Sequence, residues 1–116
     1  MGKDPLQVAS LAAMAANDKK AYNPVILDVQ GLTQVADYFV IVSGTSSVHL
    51  NAIAEAIVEE LEESGARLLH REGLAEAGWI LLDYGHTVVH VFRQEEREFY
   101  DLERLWRGAK AVGLDT

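Results

Sequence analysis

The sequence predicts one α/β domain of α+β-like character over residues 1–116, with a mixed, roughly five-stranded sheet flanked by helices. Three observations support this fold class. Helical and extended patterns interleave in the order α-β-β-α-β-β-β-α, two extended runs are almost wholly apolar, and two others flank a turn in a hairpin pattern. Apolar runs of this kind are typical of strands covered on both faces. The length suits a two-layer core.

The first half of the chain begins with a helix and continues with two strands. We expect the helix over residues 5–18, because Pro5 suits a first turn and the following residues are rich in alanine. The runs VILDV, at 25–29, and YFVIVS, at 38–43, predict strands.

A long helix is predicted next, capped by Ser46 or Ser47 and ended by Gly65 as the residue after the helix. Apolar residues recur at i, i+3, i+4 and i+7 from Leu50, which defines a buried stripe. The opposite side carries acidic residues expected to face solvent, namely Glu55, Glu59, Glu62 and Glu63. A contact role for this row is the less favoured interpretation.

The second half of the chain predicts three strands and a final helix. A third strand is expected at 67–72, and a hairpin joins strands at 79–83 and 86–92. The last helix is predicted from about Glu95 to Ala109, and residues 113–116 are expected to fray.

The hairpin pattern predicts which side chains share a face. A two-residue turn at Tyr84-Gly85 would pair Asp83 with His86 and Trp79 with His90. One face would then carry Trp79, Leu81, Asp83, His86, Val88, His90 and Phe92, and the other Ile80, Leu82, Thr87, Val89 and Val91. The second set is purely core-like, whereas the first set suggests a surface or an interface.

The composition restricts the possible functions. A formal charge of −8 disfavours direct binding to nucleic acid, because that mode needs a basic surface. The absence of cysteine rules out thiol catalysis and cysteine metal sites. The N-terminal stretch is not expected to be a secretory signal, and no apolar run approaches the roughly 20 residues that span a bilayer. A cytoplasmic location is therefore expected.

An ordered series of short motifs carries a resemblance to a known family. The motifs are DVQG at 28–31, ADYFVI at 36–41, SGTSS at 43–47, EG at 72–73, WILLD at 79–83, VHVF at 89–92 and R-x-FY-x-LE-x-LW at 97–106. In this order and spacing, the chain resembles the ribosomal silencing factor family, also called Iojap-like proteins. His86 departs from the family pattern, which usually has Asp after this glycine.

The resemblance implies a fold that looks like a nucleotidyltransferase domain without its active site. It implies a non-enzymatic factor without a cofactor. Such a factor binds a large-subunit ribosomal protein, number fourteen in the standard naming, at the face that meets the small subunit. It would block subunit joining and repress translation when nutrients are limited. Some members of the family are homodimers when free.

The residues themselves favour a docking surface built from aromatic and acidic side chains. Tryptophan and tyrosine are favoured interface anchors, and carboxylates pair with the Arg and Lys of a basic partner. The predicted partner-binding residues are Trp79, Asp83, Glu72, Glu76, Tyr100, Glu103, Arg97 and His90.

Less specific interpretations of these residues stay open. Trp79 also fits a core position at a strand start. The last helix is expected to pack on the sheet through Phe99, Leu102 and Trp106. Its i, i+4 pairs, Arg97 with Asp101 and Glu103 with Arg107, are typical of a solvated face.

The alternative function is a metal-dependent nucleotidyltransferase or a nucleotide-binding protein. That chemistry needs a Gly-Ser loop, here Gly44–Ser47, followed by two acidic residues on a strand that hold two metal ions. The corresponding stretch is predicted to be helix, and no lysine follows the loop as in a Walker motif. A metal site from Asp83, His86 and His90 lacks a recognised ligand spacing, and a histidine stacked on Trp79 or titrating near Asp83 is favoured instead.

Overall fold

The computed structural model describes residues 4–113, so the tail predicted to fray lies outside them except for Gly113. The helices are α1 (Pro5–Asp18), α2 (Ser47–Glu63), α3 (Gln94–Tyr100) and α4 (Leu102–Leu105), with a 3-10 turn at Ala75–Ala77. The strands are β1 (Tyr22–Asp28), β2 (Tyr38–Gly44), β3 (His70–Leu74), β4 (Trp79–Asp83), β5 (Thr87–Arg93) and β6 (Lys110–Val112). None of the helices within these residues has the length and apolar content needed to cross a membrane.

The strands form one mixed sheet in the order β3-β4-β5-β2-β1-β6. Only β2 and β5 run parallel, and the other neighbours are antiparallel. This confirms the predicted fold class with six strands instead of about five. The additional strand, β6, pairs Val112 with Ile26. Three residues are too short a run to show the alternating pattern that identifies a strand in a sequence.

The first face of the sheet is covered by α1 and α2. The predicted stripe of α2 is confirmed, since Leu50, Ile53, Ile57 and Leu61 have no exposed surface. They pack with α1 alanines against aliphatic side chains of the central strands, namely Ile26, Val40, Val42, Ile80, Leu82, Val89 and Val91.

The predicted boundaries of α2 are also confirmed. The backbone N–H of His49 donates to the Ser46 hydroxyl at 3.1 Å, which satisfies one free amide of the first turn. Gly65 follows the helix with a φ of 92°. The acidic row on the outer side of α2 is exposed, as expected.

The two-residue hairpin turn lies one residue further along the chain than predicted. Its central residues are Gly85 and His86, and Tyr84 N–H donates to the Thr87 carbonyl at 2.9 Å. Gly85 has a φ of 93°, which a glycine at the first central position of a hairpin turn adopts easily. The Asp83 carboxylate accepts from Gly85 N–H at 2.8 Å and holds the turn in this position.

The pairing of β4 with β5 therefore shifts by two residues. Trp79 lies opposite Phe92, and Leu81 lies opposite His90, so the predicted Trp79–His90 pairing is wrong. A shift of two keeps every side chain on its predicted face, because successive residues of a strand alternate. The core-like set does lie under the helices, and the mixed set lies on the opposite, second face.

The predicted C-terminal helix is interrupted. Helix α3 ends at Tyr100, and Asp101 adopts left-handed backbone angles of φ 47° and ψ 55° before α4 starts. The proposed i, i+4 pairs are wrong, because Arg97 is 6% exposed and pairs with Glu103 across the break. Phe99, expected to pack on the sheet, is 80% exposed. Because α3 and the segment after Asp101 are not one continuous helix, Phe99 does not share a face with Leu102 and Trp106, which do pack on the sheet.

Gly73→Ala is expected to destabilise the protein more than Gly31→Ala. Both glycines have a positive φ, 86° and 82°. A Cβ at position 31 meets open space, whereas one at position 73 collides with the Trp79 carbonyl oxygen. The φ penalty alone is roughly 1 kcal/mol, and the collision should add about 2 kcal/mol. Urea unfolding of both variants measures the difference, and equal losses would contradict the close approach of β3 and β4.

Candidate docking surface

The second face of the sheet is only partly covered. A smaller buried cluster lies there, formed by Leu27, Val29, Ala36, Phe39, Ile41, Val88 and Phe92. Leu102 and Trp106 pack against it from the C-terminal segment, as predicted, and the Trp106 ring lies edge-on to Phe39 at 5.3 Å. Towards β3 and β4 the cover stops, and side chains of the sheet reach the surface.

A groove opens where the cover ends. It has a volume of about 260 Å³ and is lined by Glu72, Gly73, Ala77, Trp79, Leu81 and Tyr100. We call these six residues the Trp79 groove. The ring centroids of Trp79 and Tyr100 lie 4.7 Å apart, and the Phe92 ring lies beneath Trp79 with its centroid at 4.9 Å. Two aromatic rings, an aliphatic side chain and a carboxylate therefore share one concave surface.

His90 holds Trp79 from below. The indole Nε1–H donates to His90 Nδ1 at 3.1 Å. The ring centroids lie 5.8 Å apart with the planes tilted by 40°, so the expected stacking is wrong and a hydrogen bond joins the two rings instead. Because Nδ1 accepts this bond, the neutral imidazole carries its proton on Nε2. Burial lowers the pKa of His90 to about 4, since a charged ring would lose its hydration. His90 is 6% exposed and supports the surface from inside the protein.

Two of the predicted acidic residues remain available to a partner. Glu72 lines the groove, Glu76 is exposed on the 3-10 turn, and neither makes an intramolecular ion pair within residues 4–113. The nearby cations are engaged elsewhere, Arg71 with Glu55 and Arg93 with Glu96. The surface near the groove therefore presents uncompensated negative charge.

Asp83 and Glu103 have intramolecular partners. Asp83 holds the hairpin turn at the far end of β4, roughly 13 Å from Trp79 along the strand. Glu103 forms a two-bond pair with Arg97 at 3.1 and 2.8 Å. Tyr100 is 47% exposed at the groove. The structure thus brings Trp79, Tyr100 and Glu72 together and leaves Asp83 outside the groove.

Two exposed apolar residues near the groove were missed by sequence reasoning. Leu74 lies opposite Trp79 on β3 and is 66% exposed, and the exposed Phe99 ring packs edge-on against Tyr100 at 5.1 Å. The third strand was predicted to end at residue 72. Extending it to residue 74 would have placed Leu74 opposite Trp79. No sequence signal shows the break at Asp101 that exposes Phe99.

The loop Gly44–Ser47 is committed to internal contacts. Thr45 N–H donates to His49 Nδ1 at 3.0 Å, Ser46 caps α2, and the Ser47 hydroxyl donates to the Ala75 carbonyl at 3.2 Å. A Cβ at Gly44 would press on Leu50. Residues 4–113 contain no group of three His, Cys, Asp or Glu placed to hold a metal ion. The loop acts as a helix cap, and the described residues do not assemble the two-metal site of a nucleotidyltransferase.

Comparisons with known proteins find similarity along most of the chain. A family model described as "Ribosomal silencing factor during starvation" matches residues 3–116. The ribosomal silencing factor RsfS of Bacillus subtilis is 43% identical over 108 residues, 93% of this chain and 92% of that protein. A mouse protein named "Mitochondrial assembly of ribosomal large subunit protein 1" is 36% identical over 84 residues, 70% of this chain and 37% of that protein. A crystal structure from Chromobacterium violaceum superimposes with a TM-score of 0.86 at 30% identity, covering 98% of this chain and 94% of that one.

His90 makes stability pH-dependent. Its pKa falls from 6.5 to about 4 on folding, so the unfolded chain binds more protons between these values. The contribution of His90 to the free energy of unfolding should be fully present above pH 6.5 and decline as the pH falls towards 4. The total loss from this group is roughly 3 kcal/mol.

The measurement is urea unfolding from pH 7 to pH 4 for the wild type and His90→Asn, whose side-chain oxygen can still accept from Trp79. The variant should lack most of this decline, because it has no imidazole to be protonated at position 90. Parallel pH profiles would contradict a buried, neutral His90.

Proposed function

The chain belongs to the ribosomal silencing factor family, and we propose that it docks on the large ribosomal subunit and prevents the small subunit from joining. The proposed contact is the large-subunit protein number fourteen, on the face that meets the small subunit. The proposed outcome is repression of translation when nutrients are limited, in the cytoplasm. The name of the family supports a ribosomal partner, and the name of the mouse relative supports the choice of the large subunit.

The observation that carries the proposal is the Trp79 groove beside unpaired carboxylates. Trp79 and Tyr100 offer a large apolar area on rigid rings, which lose little conformational entropy on binding. Glu72 and Glu76 have no internal cation to satisfy them within residues 4–113. A basic ribosomal protein supplies both an apolar contact and the missing positive charge.

The other predicted residues receive indirect roles in this proposal. His90 and Arg97 are buried, so they support the groove from within. Glu103 acts through Arg97, and Asp83 shapes the hairpin turn. Trp79, Tyr100, Glu72 and Glu76 remain as the side chains that touch the partner.

The size of the protein suits a steric mechanism. Its extents are 33 × 32 × 28 Å. Polar and apolar contacts between macromolecules act over only about 4 Å. A body of this size docked at the joining face would therefore hold the two subunit surfaces far beyond contact distance, without any catalytic step.

Trp79→Ala and Tyr100→Ala are each expected to weaken docking, and silencing with it, while leaving measurable binding at high protein concentration. Removing a central aromatic anchor typically costs about 2 kcal/mol or more, roughly a thirtyfold loss of affinity. Purified subunits and the protein are separated on one gradient, which reports comigration with the large subunit and the fraction of joined ribosomes.

The exposed Tyr100 makes its variant the safer one for folding, and circular dichroism checks both. Joining that proceeds normally with a saturating amount of bound wild-type protein would refute the steric mechanism. Full comigration of both variants would refute the assignment of the groove.

The charge contribution is tested by Glu72→Lys against Glu63→Lys. Both substitutions reverse an exposed carboxylate and change the net charge equally, but Glu63 lies on α2, on the other side of the sheet. We expect only Glu72→Lys to weaken comigration, by about tenfold at low salt and less at high salt, because salt screens the lost attraction. Equal losses would show that net charge alone, not the groove, governs docking.

A further inference from the structure

We infer that Arg97 is a positioning residue that fixes the shape of the Trp79 groove without touching the partner. This inference rests on the proposed docking function and concerns how the groove is kept in its binding shape. The observation behind it is a buried cation in the short helix that carries Tyr100.

The contacts of Arg97 form a fork that ties three parts of the chain together. Its Nη1 donates to the Ser43 hydroxyl at 2.9 Å, at the end of β2. Its Nε and Nη2 donate to the two carboxylate oxygens of Glu103 at 3.1 and 2.8 Å. Such two-bond pairs fix orientation as well as distance. We call the contacts among Arg97, Glu103 and Ser43 the Arg97 clamp.

The Arg97 clamp requires the break in the helix. Residues six apart on a continuous helix lie about 120° from each other around its axis and do not meet. The left-handed turn at Asp101, whose N–H donates to the Arg97 carbonyl at 2.9 Å, brings Glu103 back to the guanidinium. The ion pair and the break therefore stabilise one another.

Tyr100 lies between the two ends of the Arg97 clamp. It is the residue before the break, and its ring faces Trp79 at 4.7 Å. Arg97 is fixed to the sheet, and Glu103 is fixed to Arg97. The backbone at Tyr100, which lies between them, is therefore held in one orientation. Without the clamp, Arg97 no longer ties α3 to β2, so α3 can rotate and turn Tyr100 and Phe99 relative to the groove.

Stability alone does not explain the Arg97 clamp. Removing the Arg97 guanidinium from water is unfavourable, and its attraction to the partly exposed Glu103 has to offset that cost. A non-glycine residue in the left-handed region adds strain. An ion pair that buries its cation and holds a strained turn next to the groove is better explained by the geometry that it imposes.

The test uses Glu103→Gln, which weakens the clamp at a partly exposed position, and Arg97→Met, which removes it. Glu98→Gln is the matched control, since it removes an equal charge from the exposed side of α3. Both clamp variants should lose about tenfold in large-subunit affinity and shift the indole N–H resonance of Trp79. The control should do neither.

A Tyr100→Ala background separates positioning from direct contact. Because the Arg97 clamp acts through Tyr100, Glu103→Gln should cause no further loss of affinity there. Additive losses would overturn the inference and indicate that Glu103 touches the partner. If the wild type itself does not bind large subunits, the proposed function fails. The positioning role of Arg97 is then tested only by the indole N–H resonance of Trp79 in the free protein. A shift in the clamp variants then supports the inference, and unchanged spectra overturn it.

Discussion

The unequal cover of the two sheet faces is the constraint on which the surface depends. Helices α1 and α2 bury the first face, whereas the second face is left to α3 and α4, of 7 and 4 residues. At 1.5 Å per residue, α3 is roughly 10 Å long, while six strands at their usual spacing extend over about 24 Å. These short helices cannot cover that width. An open stretch over β3 and β4 therefore follows from the lengths of the elements.

The side chains at this open stretch are rigid and mutually supported. The Trp79 ring packs against Phe92 and Tyr100, and its indole N–H donates to His90. The ring is therefore held in place before any partner binds. Preorganised anchors lose less entropy on association than mobile ones. The neutral state of His90 belongs to this arrangement, because a proton on Nδ1 would remove the acceptor of the indole N–H. Burial and hydrogen bonding at His90 thus bear directly on the exposed ring.

Sequence reasoning succeeded wherever a local pattern determined the outcome. The stripe of α2, its Ser46 cap and the division of hairpin side chains between two faces were all predicted, and the last survived a wrong register because the error was an even number of residues. Reasoning from helical periodicity failed across Asp101, because residues on either side of it do not belong to one continuous helix. A left-handed residue has no periodic signature, and Asp tolerates that conformation only in a suitable tertiary setting. The exposure of Phe99 and the burial of Arg97 both follow from that single residue.

The charge of the protein and the shape of its groove act over different distances. A net charge of −8 favours approach to cationic surfaces and opposes contact with RNA, whose phosphates are also negative. At physiological salt this influence fades over about 8 Å, so it cannot distinguish one basic protein from another. That distinction has to come from contacts within the groove, where ring orientation and carboxylate position are fixed. A residue such as Arg97, which orients Tyr100 from inside the fold, then affects partner choice as directly as a residue on the surface.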